Sequence, residues 1–412
     1  MEPQTQRFTR DFYAIIVIDA CLAIAREMYQ PVFSLYLLEA RKATPVEIGA
    51  IISIFPLATI LARFILGPIS DRVGTGWFLL ATLIIQPVTF ALYVLAPDVS
   101  WFYSIQALSA FTIALFNPLL MSLVLRISPT SHRGDAMGRY LTAAGLSTLM
   151  GPLLSSILLE AFQRNYAGIF LIAIIPAAMS LTAFVLLTKG KKYREELFTT
   201  ITRTERSLLS QIAGFAGDLK TVFMAENVPS LTISRIAFSF TLAFFRILFP
   251  IYAVNSLGYS PSSVTLIFTA YGLFNTLARF PSGRLNDRIG RKLPLIFSLA
   301  LMVLVNLGLS TTTEYASLWI IAAVYGACHG LRAVSEWTFL GDSVSPQLRG
   351  LANSYFANIF DIGTSLGAFT GGIMVTLMPV SQVFRIAALI MLGNAVAVWF
   401  LSRGKPHRKS VV

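Results

Sequence analysis

Residues 61–74 read LARFILGPISDRVG, and residues 277–292 read LARFPSGRLNDRIGRK. The two stretches share Leu-Ala-Arg-Phe at 61–64 and 277–280, a shift of 216 residues. The same shift brings Tyr36 onto Tyr252, Thr44-Pro45 onto Ser260-Pro261, and Asp71-Arg72 onto Asp287-Arg288. It also brings Gly74 onto Gly290, Arg133-Gly134 onto Arg349-Gly350, and Gly151 onto Gly367. One offset that aligns separated places along the whole chain marks an internal duplication. Whatever one half folds into, the other folds into as well.

The sequence between these landmarks is apolar. The chain has 412 residues, 55% of them hydrophobic and 13% charged, with a mean hydropathy of +0.70. A soluble domain carries about 25% charged residues, so too little charge is present to clothe a water-facing surface. The apolar residues come in runs of about 20, the length that crosses a bilayer as a helix. Their spacing predicts twelve spans, at 11–38, 46–68, 77–96, 101–126, 136–160 and 166–188, then 229–256, 262–283, 294–312, 315–341, 351–377 and 382–402. The expected fold is an all-α membrane protein of two six-helix bundles, 1–188 and 229–412, with a cytoplasmic linker at 189–228. The linker opens with Lys189, Lys191, Lys192 and Arg194. Leu208, Leu209, Ile212, Phe215, Leu219, Val222 and Phe223 then recur at helical spacing, as in an interfacial amphipathic helix or a plain soluble one.

The net charge of +12 is distributed as topology requires, not as nucleic acid would require. Basic residues crowd alternate loops: Arg72, Arg126, Arg133, Arg139, the linker, Arg288, Arg291, Lys292, Arg349 and the tail from Arg403 to Lys409. The other loops hold little beyond Arg41, Lys42 and Arg164. This bias places both termini in the cytoplasm. The first apolar run starts near Phe12 and reads as a span, not a cleaved leader. Cys21 and Cys328 lie in apolar segments and form no disulfide framework or metal spacing. No phosphate loop, nucleophile–base pairing or metal cluster is legible, so no enzyme, cofactor or metal is expected. Because the halves are offset by six spans, they are parallel repeats, and a solute path is expected between them near the bilayer midplane.

The doubled loop Gly67-Pro-Ile-Ser-Asp71-Arg72-Val-Gly74 and Gly283-Arg284-Leu-Asn-Asp287-Arg288-Ile-Gly290-Arg291-Lys292 resembles the signature loop of the major facilitator superfamily, G-x-L-x-D-R-x-G-R-[RK]. The second copy is nearly complete; the first has Thr75-Gly76 where the final basic pair would stand. With the 216-residue repeat, the resemblance covers essentially the whole chain. It implies that Gly67, Asp71, Arg72, Gly74, Gly283, Asp287, Arg288, Gly290 and Arg291 steady a closed cytoplasmic face. In many relatives an acid at the inner end of the fourth span joins that network; here Arg126 stands there, and its repeat mate is Asp342. Ser147-x-x-x-Gly151-Pro152-x-x-Ser155-Ser156 and Gly363-x-x-x-Gly367-Ala368-x-x-Gly371-Gly372 look like the antiporter motif of the drug–proton exchanger branch. Small residues four apart also let helices pack backbone to backbone, and Pro152 lets a helix bend. The arginine that such exporters usually carry within the fourth span is absent, and Asn117-Pro118 is that span's polar break.

Ionisable groups at mid-membrane cost at least about 2.5–3.5 kcal/mol each, so each is a functional candidate. Asp19, Glu27, Glu336 and Asp361 are the proton-coupling candidates. Arg26, Arg235, Arg246, Arg332, His329, Tyr29, Tyr252 and Asn117 are the cavity candidates. Asp19 and Arg235 are mates under the repeat shift, which suggests an ion pair that breaks and remakes as the halves rock. Arg332 and Glu336, four apart, suggest a local pair on the face that His329 shares. The expected function is secondary active transport of a small solute by a monomer in the inner membrane, as proton-coupled efflux of a small organic or amphipathic compound. Uptake or exchange of an anionic metabolite is the alternative, and a receptor or enzyme on a transporter scaffold a remote one.

Overall fold

The computed structural model describes residues 9–129, 132–190, 197–198 and 217–402. In the first half, α1 (Arg10–Tyr29) is followed by α2 (Pro45–Val73), α3 (Thr75–Leu95), α4 (Trp101–Ile113), α5 (Phe116–Ile127), α6 (Arg133–Ala161) and α7 (Tyr166–Thr188). In the second half come α8 (Val228–Asn255), α9 (Pro261–Ile289), α10 (Lys292–Thr311), α11 (Tyr315–Ser343), α12 (Arg349–Leu377) and α13 (Val380–Leu401). The described residues contain no strand, and α4 and α5 are the two parts of one broken segment, so each half has six. Among the described residues, ten segments are long and apolar enough to cross a membrane. The other two, α1 and α9, fall short on composition: Asp19, Arg26 and Glu27 interrupt the first, and Ser262, Ser263, Thr265, Thr269, Asn275 and Thr276 dilute the second ahead of the charged stretch from Arg279.

Local chemistry sets the helix ends. Glu47 Oε2 accepts from the Thr44 amide at 2.8 Å, while the Glu47 amide donates to Thr44 Oγ1 at 3.3 Å, a reciprocal capping box at the start of α2. Its repeat mate Ser260 accepts from the Ser263 amide at 3.1 Å, with Pro261 as the first residue of α9. Pro31 has no N–H to continue α1. The chain there tightens into a 3-10 turn at Gln30–Val32, then passes through Phe33–Leu35 into a π-helical turn at Tyr36–Ala40.

Pro118 acts in the same way on the fourth segment. It has no donor for the carbonyl of Ala114, and the helix breaks between Ile113 and Phe116. The Thr82 hydroxyl, from α3, donates to the carbonyl of Thr112 beside the break, and Gln86 Nε2 donates to Ser109 O at 3.0 Å and Thr112 Oγ1 at 3.0 Å. Thr82→Val, similar in shape, is expected to cost about 1–3 kcal/mol by leaving that carbonyl short of a donor, read as a lower melting temperature of the detergent-solubilised protein.

The helices gather into two compact units, Met1–Tyr36 with Ala58–Arg203, and Leu37–Leu57 with Thr204–Val412. The core of the first is aromatic: Tyr29, Phe33, Phe90, Tyr93, Phe102 and Phe170 are buried against one another. Phenol groups inside it are satisfied, with Tyr36 Oη donating to Tyr93 O at 2.8 Å and Tyr93 Oη to Gln106 Oε1 at 3.1 Å. In the second unit Phe245 packs on Phe249, Phe268, Tyr271 and Tyr325. Within that unit the start of α2 lies on α12. A Cβ on Gly49 would stand 2.6 Å from Ala368 O and 2.9 Å from Gly372 Cα, and Ser365 Oγ donates to Ser53 O at 2.9 Å.

Of the linker, residues 217–224 are helical, with Val222 buried and Phe223 exposed. Leu208, Leu209, Ile212, Phe215, Lys191, Lys192, Arg194, Arg7 and the tail from Arg403 lie outside the described residues.

Candidate functional site

In the first unit the intramembrane charges lie on α1, where α6 and α7 pack. Asp19 is 6% exposed, and its carboxylate accepts a hydrogen bond from the Tyr140 hydroxyl of α6, with Arg26 in electrostatic range. Arg26 in turn bonds Tyr29, which sits in the aromatic core and is buried. The small-residue run of α6 is what brings the helices this close. Ser147 Oγ donates to Ala20 O at 3.3 Å and Ser155 Oγ to Met28 O. A Cβ on Gly151 would lie 2.6 Å from the backbone carbon of Glu27. Glu27 is half-buried at that crossing, and Ser180 Oγ of α7 reaches Ile18 O at 2.5 Å.

In the second unit α12 meets α8 through the matching run. A Cβ on Gly363 would be 2.7 Å from Ile236 O, and one on Gly367 2.8 Å from Phe240 Cα. Gly371 faces the Phe244 ring at 3.0 Å. Beside this seam lies a buried charge cluster. Glu336 is fully buried, and its Oε2 accepts from Arg235 Nη1 at 2.9 Å and from Arg332 Nη1. Arg235 also donates from Nε to Phe356 O at 2.9 Å, and its guanidinium carbon lies 4.7, 4.5 and 5.2 Å from the ring centres of Trp337, Phe356 and Phe360. Arg332 is 1% exposed and lies 3.6 Å over the Phe238 ring. Such cation–π contacts contribute roughly 2 kcal/mol when desolvated. Asp361 is within electrostatic reach of Arg235, and Tyr271 Oη bonds His329 Nδ1.

Within its own unit Arg235 serves Glu336 and Phe356, and within its own unit Asp19 takes Tyr140. The local Arg332–Glu336 pair is present and is widened by a second guanidinium that sequence spacing could not show. Arg246 is half-buried with Tyr325 in electrostatic range. Tyr252 is half-buried with its ring 6.4 Å from Phe384, and Asn117 is exposed beside the break in the fourth segment.

The signature loop of the second half is tied to this cluster. Arg291 pairs with Asp287 at 3.0 Å and with Asp342 of α11 at 3.1 Å, and donates from Nη1 to Asn286 O. Asn286 Oδ1 accepts from Ser335 Oγ, next in sequence to Glu336, at 2.9 Å. Lys292 Nζ caps the end of α13 by donating to Trp399 O at 2.7 Å and Ser402 O at 2.6 Å. Gly290 has φ +85°, a turn that favours glycine, and Gly283 and Arg288 are part of the same helix end and turn. In the first half Gly74 has φ 103°; the side chains of Asp71 and Arg72 lie outside those described. Sequence reasoning did not single out Tyr140, Ser335 or Asn286. A tyrosine near a span end reads as interfacial and a serine as packing, and nothing in their spacing points to a carboxylate on another helix.

Comparison with known proteins agrees with this architecture. The Major Facilitator Superfamily model matches residues 15–226 and 231–412. A multidrug resistance protein MdtG of Serratia proteamaculans (strain 568) is 25% identical over 363 residues, covering 87% of this chain and 85% of that one. Its namesake in Escherichia coli (strain K12 / DH10B) is 24% identical over 358 residues, covering 85% and 83%. Among solved structures, the nucleoside transporter NupG superposes with a TM-score of 0.78 over 95% of this chain and 99% of that one at 14% identity. A POT family transporter in complex with 5-aminolevulinic acid superposes with a TM-score of 0.74 over 95% and 96% at 13% identity. With family profile, helical architecture and signature loop in accord, the chain belongs to the major facilitator superfamily, as a multi-pass membrane transporter of small molecules and not an enzyme.

Proposed function

We propose that this transporter exports a small organic or amphipathic compound in exchange for protons. In this reading it works as a monomer in an inner membrane with both termini cytoplasmic, the two halves rocking in alternating access. The observation that carries the reading is Asp19: a carboxylate 6% exposed in the first span, hydrogen-bonded to one hydroxyl and facing one guanidinium. A carboxylate inside a span is costly to keep there, which makes it the candidate to take up and release the coupling proton. Glu27 stands where α6 presses on α1, so its occupancy by a proton would be felt at a helix crossing. The multidrug resistance relatives support export as the direction.

The test is proton movement in sealed proteoliposomes with a pH-sensitive dye inside and cationic, neutral and anionic solutes added in turn. A solute should drive a dye response that falls to background in Asp19→Asn, while labelled solute still equilibrates down its gradient. Protons moving against the solute support export; protons moving with an anionic solute would instead favour the uptake reading. Solute crossing with no proton movement in the unaltered protein would end both forms of proton coupling.

A further inference from the structure

The repeat shift of 216 residues sets Gly76, the second residue of α3, opposite Lys292, the first residue of α10. In the second unit α10 packs on α13, and Lys292 ties their ends together. Its Nζ donates to Trp399 O and Ser402 O and lies 5.6 Å from the centre of the Trp399 ring. In the first unit α3 packs on α7, but a glycine has no side chain with which to reach the end of α7. The space is filled by the linker. A Cβ on Gly76 would lie 2.9 Å from Leu197 Cβ, 2.9 Å from Leu197 O and 3.0 Å from Phe198 Cζ. Leu197 is 1% exposed. The half-buried Phe198 has its ring edge-on to Trp77 of α3 at 5.0 Å and 6.5 Å from the ring of Phe184 in α7.

We propose that Leu197 and Phe198 are a strap, seated in a slot that Gly76 opens, and that they make for the first bundle the tie that Lys292 makes for the second. The two ties differ in kind. Lys292 brings a cation to carbonyls left over at a helix end, whereas the strap joins the ends of α3 and α7 by burying apolar surface. Glycine at 76 is then a requirement of the tie and not only the loss of a basic residue. Any side chain there would meet Leu197 at its Cβ and its carbonyl oxygen, atoms that cannot turn aside unless the linker itself moves. Gly367 is the contrast, since its nearest atoms belong to the backbone of another span. Crowding at 367 forces two spans apart; crowding at 76 expels the strap and leaves the bundle packed.

Trypsin reports the strap on the full-length protein in mild detergent. Lys191, Lys192 and Arg194 stand just ahead of the pair in sequence, and a protease must hold an extended stretch on both sides of its cut. Cleavage there, assigned by fragment mass, follows the undocked population. Gly76→Leu, and Leu197→Ala combined with Phe198→Ala, should each speed that cleavage about tenfold or more, since each gives up the burial of at least one leucine side chain. Gly138→Leu, the same change in the first turns of α6 with nothing within 4 Å of its Cβ, should be cut at the parent's rate. The double alanine variant carries the test if Gly76→Leu does not give monodisperse protein. Adding Gly76→Lys to that variant supplies the second half's tie. Cleavage should then stay fast while the melting temperature, lowered by the two alanines, rises toward the parent's. A parent cut as fast as the variants, or a double alanine variant cut no faster than the parent, overturns the strap. No rise in melting temperature on adding the lysine overturns the equivalence of the two ties.

Discussion

Gly367→Val is expected to remove most of the folded transporter. A Cβ at 367 would meet the Phe240 carbonyl oxygen and lie 2.8 Å from its Cα. Both atoms belong to the backbone of a helix, so relief requires that α8 and α12 separate along their length. Overpacking in a closed core costs about 1–3 kcal/mol when side chains can adjust; here none is available to adjust, and valine adds two further methyl groups. The result should stand at or above ~3 kcal/mol, seen as loss of the monodisperse peak on size exclusion in mild detergent. Gly371→Ala is the graded comparison, because its Cβ meets only side chains, the edge of the Phe244 ring at 3.0 Å and Leu248 Cδ1 at 3.5 Å. Gly393→Ala, with nothing within 4 Å, should be neutral or stabilise by up to ~1 kcal/mol through helix propensity. Equal behaviour of Gly367→Val and Gly393→Ala would show that the glycine run is not a close-packed seam.

Glu336→Leu should be nearly as severe, for an electrostatic reason. The leucine fills much the same volume but leaves Arg235 and Arg332 facing each other, both almost fully buried. Removing one partner from a buried ion pair costs about 3–5 kcal/mol, because the charge that remains is neither solvated nor paired. Arg332→Met is the informative contrast. It removes a charge yet leaves Arg235 and Glu336 as a neutral pair with its 2.9 Å contact intact, and should cost clearly less than Glu336→Leu. Thermal unfolding of the two variants in the same detergent checks the order. If Arg332→Met is the more damaging, the Phe238 stack, and not charge balance, holds α11 in place.

Both results concern contacts that one residue pattern announces and another conceals. Gly363, Gly367 and Gly371 are legible as a helix-packing run because small residues recur every four positions on one face, and that periodicity is local. The doubled LARF and signature loops are equally local, so the duplication, the helical class and the family resemblance follow from reading along the chain. Asp19, Glu27, Glu336 and Asp361 stand out for the same reason, since a carboxylate inside an apolar run is costly wherever it lies. Partners are another matter. Arg332 and Glu336 could be paired from their spacing of four, but Arg235 is 101 residues from Glu336, and Tyr140 is separated from Asp19 by several spans.

The sequence by itself therefore determined the number of helical segments, their halving, and which side chains are anomalous in a membrane, because hydropathy, periodicity and turn chemistry act over one or two helical turns. Only the tertiary structure decided that Asp19 is held by Tyr140, that Glu336 takes two arginines through one oxygen, and that Ser335 and Asn286 connect that cluster to the signature loop. Ion pairs form between whichever charges the packing of small residues brings within about 4 Å, and that distance is set by helix crossings that no single segment encodes.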